Sequence, residues 1–104
     1  MKTVYVIAIK HLFDYKENIL DRWEYLKVDS SSGGYTYWDD TIEGAEYFYD
    51  ADKLEEWFYN GYVRKVLFCG TDKNQYDLDS LCIKKVVFQD PIVDFEKNLV
   101  FKEM

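Results

Sequence analysis

The sequence predicts an α+β fold: a single domain spanning residues 1–104, with a mostly antiparallel β-sheet and one or two short helices on one side. Three observations lead to this prediction. The chain has 104 residues, of which 48% are hydrophobic, so one core can close without metal or disulfide. Apolar, β-branched runs recur between short polar segments, which is typical of strands. One stretch, residues 50–60, has apolar side chains at helical spacing.

The first strand is predicted at Thr3–Ile9, an apolar run bounded by Lys2 and Lys10. A run with so few polar residues is typical of a central strand that is buried on both faces. No small-residue cleavage site follows it, so we interpret it as a strand rather than a signal peptide. No apolar run approaches membrane-spanning length. We therefore expect a soluble cytoplasmic protein with no membrane partner.

Residues 14–22 are compatible with helix, strand or loop. Tyr15, Ile19 and Trp23 have helical spacing, so a short helix is one alternative there. The following segment, Trp23–Val28, alternates like a strand and is predicted to be one.

A hairpin is predicted next. Trp23–Val28 places Glu24, Leu26 and Val28 on one face, because strand side chains alternate. Residues 30–34, with the sequence Ser-Ser-Ser-Gly-Gly, form a flexible reversal. Tyr35–Trp38 then returns as the third strand.

Two helices are predicted after this hairpin. Asp40 caps a helix of a turn or two, with Glu43 as its capping-box partner. Asp50 or Asp52 caps a better helix that runs through Asn60. Its apolar stripe is Leu54, Trp57 and Phe58, and the opposite face is Asp52, Glu55, Glu56 and Tyr59. We expect burial of Trp38, Phe48, Leu54, Trp57 and Phe58, and exposure of Asp52, Glu55 and Glu56.

The C-terminal part is predicted to add further strands. These are Val63–Cys69 and Leu81–Phe88, joined by a polar loop over Gly70–Ser80. Asp90-Pro91 is expected to end the second of them, because proline lacks the amide donor that a central strand needs. A short strand at Leu99–Lys102 is expected at an edge of the sheet.

The net charge of the chain is confined to one stretch, Tyr35–Tyr62, called the acidic segment below. It holds eight carboxylates and one base, Lys53, so its charge of −7 equals that of the whole chain. The other residues hold twelve acids and twelve bases. The segment also holds half of the twenty aromatic residues. Such a surface repels phosphates, which argues against direct nucleic-acid binding, and it favours a basic partner.

The sequence offers little support for catalysis, a metal or a cofactor. His11 is the only histidine, and Asp14 is its nearest candidate partner for orienting a base. Cys69 and Cys82 lie in apolar runs without metal-ligand spacing, so we expect them to be reduced and inert, although a disulfide is geometrically possible. The loop 72–77 has some calcium-ligand spacing but lacks the glycine and the bidentate glutamate. We therefore expect no cofactor, no metal and no enzymatic activity.

One part of the acidic segment has a family resemblance. The elements are Trp38-Asp39-Asp40, then the run from Ile42 to Phe48, then the acidic helix from Asp52 to Phe58. This order of hairpin, short apolar segment and acidic helix resembles a module of small accessory proteins from phages and mobile elements. The resemblance covers about a third of the chain. It implies a phage-type protein, a group that includes anti-CRISPR proteins and other host-interference inhibitors, acting in the host cytoplasm.

The leading functional hypothesis is a non-enzymatic inhibitor or adaptor that docks its acidic face on a basic, nucleic-acid-handling protein, imitating nucleic-acid phosphates. A CRISPR effector nuclease is one candidate target, on the resemblance alone. Those of Tyr35, Tyr37, Tyr59 and Tyr62 that are exposed would anchor the contact, and the sequence does not show which they are. The residues expected to contact the partner are Asp39, Asp40, Glu43, Glu46, Asp50, Asp52, Glu55, Glu56, Tyr59 and Tyr62. Two alternatives remain open: a small-ligand or enzymatic domain with an aromatic pocket, and a homo-oligomeric structural module.

Overall fold

The fold is built around one long strand, Thr3–Phe13, in the middle of an antiparallel sheet. The computed structural model describes residues 3–29, 35–60, 71–87 and 90–99, and side chains in these ranges except 87 and 90–97. The elements are β1 (Thr3–Phe13), β2 (Ile19–Asp29), β3 (Tyr35–Asp39), β4 (Tyr47–Phe48), α1 (Ala51–Asn60), β5 (Tyr76–Val87) and β6 (Asp90–Asn98). Along the sheet the strand order is β3-β2-β1-β5-β6, and β4 pairs separately with β1.

This sheet with one short helix confirms the coarse α+β prediction for the described part of the chain. The radius of gyration, 13.3 Å, is that of one compact body. None of the described helices is long and apolar enough to cross a membrane.

The strand β1 is buried on both faces, as its apolar sequence predicts. On one face, Ile7 and Ile9 join a core with Leu54 and Phe58 of α1, so the helix lies on that side. The residues of this helix-side core are Ile7, Ile9, Leu26, Leu54, Phe58, Leu81, Ile83 and Leu99. On the opposite face a second core forms from Val4, Val6, Ala8, Tyr25, Ala45 and Val86. The central-strand prediction for Thr3–Ile9 is therefore confirmed, and the strand continues to Phe13.

The sheet forks at β2. Up to Tyr25, β2 pairs with β1, and Tyr25 lies opposite Ala8. Beyond Tyr25 the strand pairs with β3 alone, and β4 takes its place beside β1, with Tyr47 opposite Val6. The amide of Glu46 donates to the Leu26 carbonyl at 2.9 Å, which joins β4 to the fork.

The prediction of a short helix after Asp40 is wrong. Residues 41–46 form turns that lead into β4, and Ile42 and Ala45 pack on the second core. Gly44 has a φ of +79°, in the left-handed region. This conformation breaks a right-handed helix, and glycine adopts it without a Cβ penalty.

Of the three alternatives for residues 14–22, the structure has a turn followed by strand, because β2 begins at Ile19. The connection is held by Asp14, whose carboxylate accepts hydrogen bonds from the amides of Lys16 and Asn18 at 2.8 and 2.9 Å. Asn18 also donates its side-chain amide to Asp14 at 3.0 Å. These bonds lower the pKa of Asp14, the Asn18 side chain contributing most.

The helix α1 (Ala51–Asn60) confirms the second predicted helix, and of the two predicted caps, Asp50 and Asp52, it is Asp50 that caps it. Asp50 Oδ1 accepts the amides of Asp52 at 2.8 Å and Lys53 at 3.3 Å. Leu54 and Phe58 are fully buried as expected. Trp57 is only half-buried, as are Trp38 and Phe48, and Glu55 is half-buried rather than exposed. The expectation that Trp38, Phe48 and Trp57 are largely buried is therefore met in part, since all three pack against the core, and the expectation that Glu55 is exposed is wrong.

The C-terminal strands differ most from prediction. β5 begins at Tyr76, so half of the expected polar loop 70–80 is strand, and β6 (Asp90–Asn98) was not predicted. Leu99 follows β6 as a buried residue outside any strand, and its amide donates to the Leu81 carbonyl at 2.9 Å. The predicted strand Val63–Cys69, and residues 100–102 of the predicted last strand, lie outside the described residues.

Candidate functional site

The ten residues predicted to contact a partner have different environments. Glu43, Asp52 and Glu56 are exposed, as are Asp40 and Asp50. The side chains of Asp39, Glu46, Glu55 and Tyr59 are half-buried. Tyr62 lies outside the described residues. The residues predicted to contact a partner therefore do not form one uniformly exposed acidic face in the part of the chain that the structure describes.

The carboxylate of Asp39 forms an ion pair within the protein. Its Oδ2 accepts hydrogen bonds from Lys27 Nζ at 2.6 Å and from the Thr41 hydroxyl at 2.6 Å. Lys27 is 9% exposed and also donates to the Thr41 hydroxyl at 2.8 Å. The hydrogen bond from Lys27, followed by that from Thr41, lowers the pKa of Asp39 to about 2. This carboxylate neutralises a buried lysine on the second face of the sheet.

Asp40 and Asp50 also have internal roles. Asp40 lies 3.5 Å from a guanidinium nitrogen of Arg22, an exposed ion pair. Asp50 caps α1, as described above. Each of these two carboxylates therefore contributes to the protein's own structure as well as to its surface charge.

The exposed side chains around β4 and the start of α1 are Glu43, Tyr47, Tyr49, Asp52 and Glu56, and the half-buried Glu46 lies among them in the sequence. We call these six residues the acidic face. Tyr47 and Tyr49 are 48% and 62% exposed, and their rings meet edge to face at 5.6 Å. Asp52 and Glu56 are one helical turn apart, so they lie on the same side of α1.

Sequence reasoning did not single out Tyr47 and Tyr49, which are exposed, and named Tyr59 and Tyr62 instead. The missed signal is alternation: in the strand β4, Phe48 packs on the helix-side core, so its two neighbours point away from it. Tyr35 and Tyr37, which are 47% and 41% exposed on β3, agree with the expectation that tyrosines of the acidic segment reach solvent.

A second polar arrangement, which sequence reasoning also missed, surrounds the buried Glu24. Its carboxylate accepts hydrogen bonds from His11 Nδ1 at 2.7 Å, Arg22 Nε at 2.9 Å and the Tyr76 hydroxyl at 3.1 Å. The His11 ring stacks on Tyr76 with centroids 4.0 Å apart. We call these four residues the Glu24 cluster. Burial, and then the Glu24 charge, raises the pKa of Tyr76. The hydrogen bond to Glu24 likewise raises the pKa of Arg22.

The Glu24 cluster changes the interpretation of His11. The proposed partner Asp14 is engaged in its own loop, and the imidazole instead faces Glu24. The pair has the form of an oriented base, but the other ring nitrogen, Nε2, is buried. A base must reach a substrate proton, so the arrangement favours a structural role for His11.

A groove of about 540 Å³ lies at the end of the β1–β2 hairpin. Its lining combines two aromatic residues, Phe13 and Tyr15, with two amides, Asn74 and Gln75. Three carboxylates complete it: Asp14, Glu17 and Asp72. The Gln75 carbonyl accepts the amides of Leu12 at 2.8 Å and Phe13 at 3.1 Å, which fixes the two walls together.

This groove does not have the form of a metal site. In the ranges that the structure describes, no three His, Cys, Asp or Glu side chains are grouped as metal ligands would be. Asp72, the first residue of the loop considered for calcium, uses Oδ1 to accept the Asn74 amide at 2.8 Å. Cys82 is 1% exposed in the sheet, consistent with a buried apolar role, and Cys69 lies outside the described residues.

No family model, curated protein or solved structure matches this chain. The resemblance to phage accessory proteins therefore stays a prediction from the sequence.

Proposed function

We propose that this protein acts by binding, without catalysis, and that its acidic face docks on a basic, nucleic-acid-binding surface of another protein. The observation that carries the proposal is the pair Tyr47 and Tyr49, exposed and in edge-to-face contact, among exposed carboxylates. Residues 41–60 hold six acids and a single base, Lys53. The combination supplies both parts of a polar docking surface, a field of one sign and aromatic anchors.

The two parts have different tasks. Exposed carboxylates such as Asp52 and Glu56 steer a positively charged partner and speed association, but each contributes little affinity in water. Tyrosine side chains supply the contact area on which affinity depends, because they bury a large surface at a small entropic cost. Tyr47 and Tyr49 would thus hold the partner that the carboxylates attract.

The finer form of the proposal is an inhibitor that imitates nucleic-acid phosphates. A partner whose groove binds DNA or RNA already presents Lys and Arg at phosphate spacing, and rows of carboxylates match that charge. Because of the phage-type resemblance of the sequence, a bacterial defence protein is the partner we favour, with a CRISPR effector nuclease as one candidate.

The experiment is affinity capture from bacterial lysate on the immobilised protein, followed by elution with duplex DNA. We expect basic nucleic-acid-binding proteins to be retained and displaced by DNA. The variant Asp52→Lys/Glu56→Lys should lose them, while its fold is kept because both side chains are exposed. Glu55 is left unchanged, because it is half-buried.

The charge-matched control is Asp21→Lys/Asp79→Lys, which changes the net charge by the same amount at two exposed positions on β2 and β5. Because Asp21→Lys also removes the ion pair with Lys10, circular dichroism first establishes that the control is folded. The control should retain the same proteins as the wild type. Equal loss in both variants would mean that only net charge matters, and equal retention would mean that the acidic face is a solvated surface.

A further inference from the structure

We propose that the end of the β1–β2 hairpin is a second docking surface, which takes a basic peptide segment with an apolar side chain next to Lys or Arg. The hairpin surface consists of Phe13, Tyr15 and Ile19 with the groove beside them. It is distinct from the acidic face, and it would give the protein two contact sites.

Three large apolar side chains are exposed at this end of the hairpin. Tyr15 and Ile19 are 79% and 78% exposed, and Phe13 is 39% exposed. Phe13 and Ile19 are register partners across the hairpin, so their side chains lie side by side. Single exposed apolar residues are common, but three large ones at one hairpin end mark an interaction surface.

The charged residues that line the groove are all negative. Of the residues that line the groove, Asp14, Glu17 and Asp72 are acidic and none is basic. The lowered pKa of Asp14 keeps its carboxylate ionised. Lys16 and Lys73 are near in sequence, but they do not line the groove. The lining therefore selects a cation, and it repels nucleic acid.

The Tyr15 ring of the hairpin surface already makes a contact with a cation. Lys16 Nζ lies 5.5 Å from the centroid of the Tyr15 ring, a cation–π contact within the protein itself. An incoming Lys or Arg would add such a contact, and pair with Glu17 or Asp72, while its apolar neighbour covers Phe13 and Ile19.

A peptide fits better than two other occupants. Sites for small molecules enclose most of the ligand, whereas Tyr15 and Ile19 project into solvent. A second copy of this chain would bring Asp14, Glu17 and Asp72 against the same three carboxylates. Like charges placed together cost free energy, so the surface opposes self-association.

The two docking surfaces are well separated. β4 pairs with β1 at Tyr5 and Val6, and the hairpin end begins at Phe13. At about 3.3 Å per strand residue, β4 and the hairpin end are about 23–26 Å apart along β1. At physiological salt, charges this far apart are screened from each other, since the Debye length is about 8 Å. Changes at the hairpin end should therefore leave the β4 part of the acidic face unaltered.

The test uses two acetylated and amidated peptides as probes at about 150 mM salt. One is Lys-Leu-Arg-Phe-Lys-Leu-Arg, and the other, Lys-Ser-Arg-Ser-Lys-Ser-Arg, has the same charge without apolar residues. We expect the wild type to bind the first peptide at least about tenfold more tightly than the second. Tyr15→Ser/Ile19→Ser should lower the affinity for the first peptide by about tenfold or more, and Asp52→Lys/Glu56→Lys should leave it unchanged.

Several results would overturn the proposal. These are no binding of either peptide, equal binding of both, or unchanged affinity in Tyr15→Ser/Ile19→Ser when circular dichroism shows it folded. Loss of binding in Asp52→Lys/Glu56→Lys would place the peptide on the acidic face instead. A wild-type dimer in sedimentation that Tyr15→Ser/Ile19→Ser abolishes would identify a second copy as the occupant. Of these results, only the loss of binding in Asp52→Lys/Glu56→Lys bears on the acidic face, because it would show that this face binds basic segments; the others do not test the proposed function.

Discussion

Replacement of Glu24 by glutamine should destabilise the protein strongly. Glu24 is 3% exposed, and its carboxylate accepts hydrogen bonds from His11, Arg22 and Tyr76 at 2.7, 2.9 and 3.1 Å. Removing one member of a buried ion pair costs about 3–5 kcal/mol. Arg22 is 46% exposed and can be rehydrated, so we expect a loss at the lower end, about 3 kcal/mol.

The assay is urea unfolding at pH 7, followed by tryptophan fluorescence. With an m-value of about 1.5 kcal/mol/M, a loss of this size lowers the midpoint by about 2 M. The control is Asp21→Asn, which removes an exposed carboxylate 3.3 Å from Lys10 and should cost less than about 1 kcal/mol. If Glu24→Gln unfolds at the same urea concentration as Asp21→Asn, the Glu24 cluster does not stabilise the fold as described.

Three further predictions concern stability. The pKa of Asp39 is lowered to about 2 by Lys27, so its contribution is present above the ordinary value of 3.8 and is lost as pH falls toward about 2. Asp39→Asn should therefore be less stable than wild type at pH 7, and the difference in urea midpoint should shrink near pH 2; a constant difference would refute the linkage. Asp50→Ala removes the cap of α1 and should cost about 1 kcal/mol, whereas Asp50→Asn should cost little, as thermal unfolding can measure. Phe58→Ala should cost about 3–5 kcal/mol and the half-buried Trp57→Ala about half as much, and the reverse order in urea unfolding would contradict the packing of α1.

Much of the sheet could be predicted from local pattern. β1 has an apolar run that is typical of a central strand. The sequence of α1 shows a capping aspartate and apolar side chains at helical spacing. The alternation of β2 correctly placed Glu24 and Leu26 on one face, since both are buried on the helix side. These features depend on neighbours within a few residues, so the sequence shows them directly.

What could not be predicted depends on contacts between distant residues. The Glu24 cluster forms because the register of β1 places His11 opposite both Arg22 and Tyr76, and no local pattern specifies that register. The start of β5 was not predicted, because Asp77 and Asp79 give this part of the strand the polar composition of a loop.

The sequence located the acidic segment but did not show which of its side chains are exposed. Charge counting located it, because the imbalance between acids and bases is a property of composition. It could not show that Asp39 neutralises the buried Lys27, since the two lie on different strands paired through register. It also could not show which tyrosines point outward from β4.

The most direct test of the central claim is the dissociation constant of a captured basic partner, measured from about 50 to about 200 mM salt with the wild type and Asp52→Lys/Glu56→Lys. If the acidic face imitates phosphates, the wild type should lose at least about tenfold in affinity over this range, and duplex DNA should compete for the partner. The variant should bind weakly at every salt concentration. Wild-type affinity that is indifferent to salt, or a variant that binds as tightly as wild type, would contradict the proposed function.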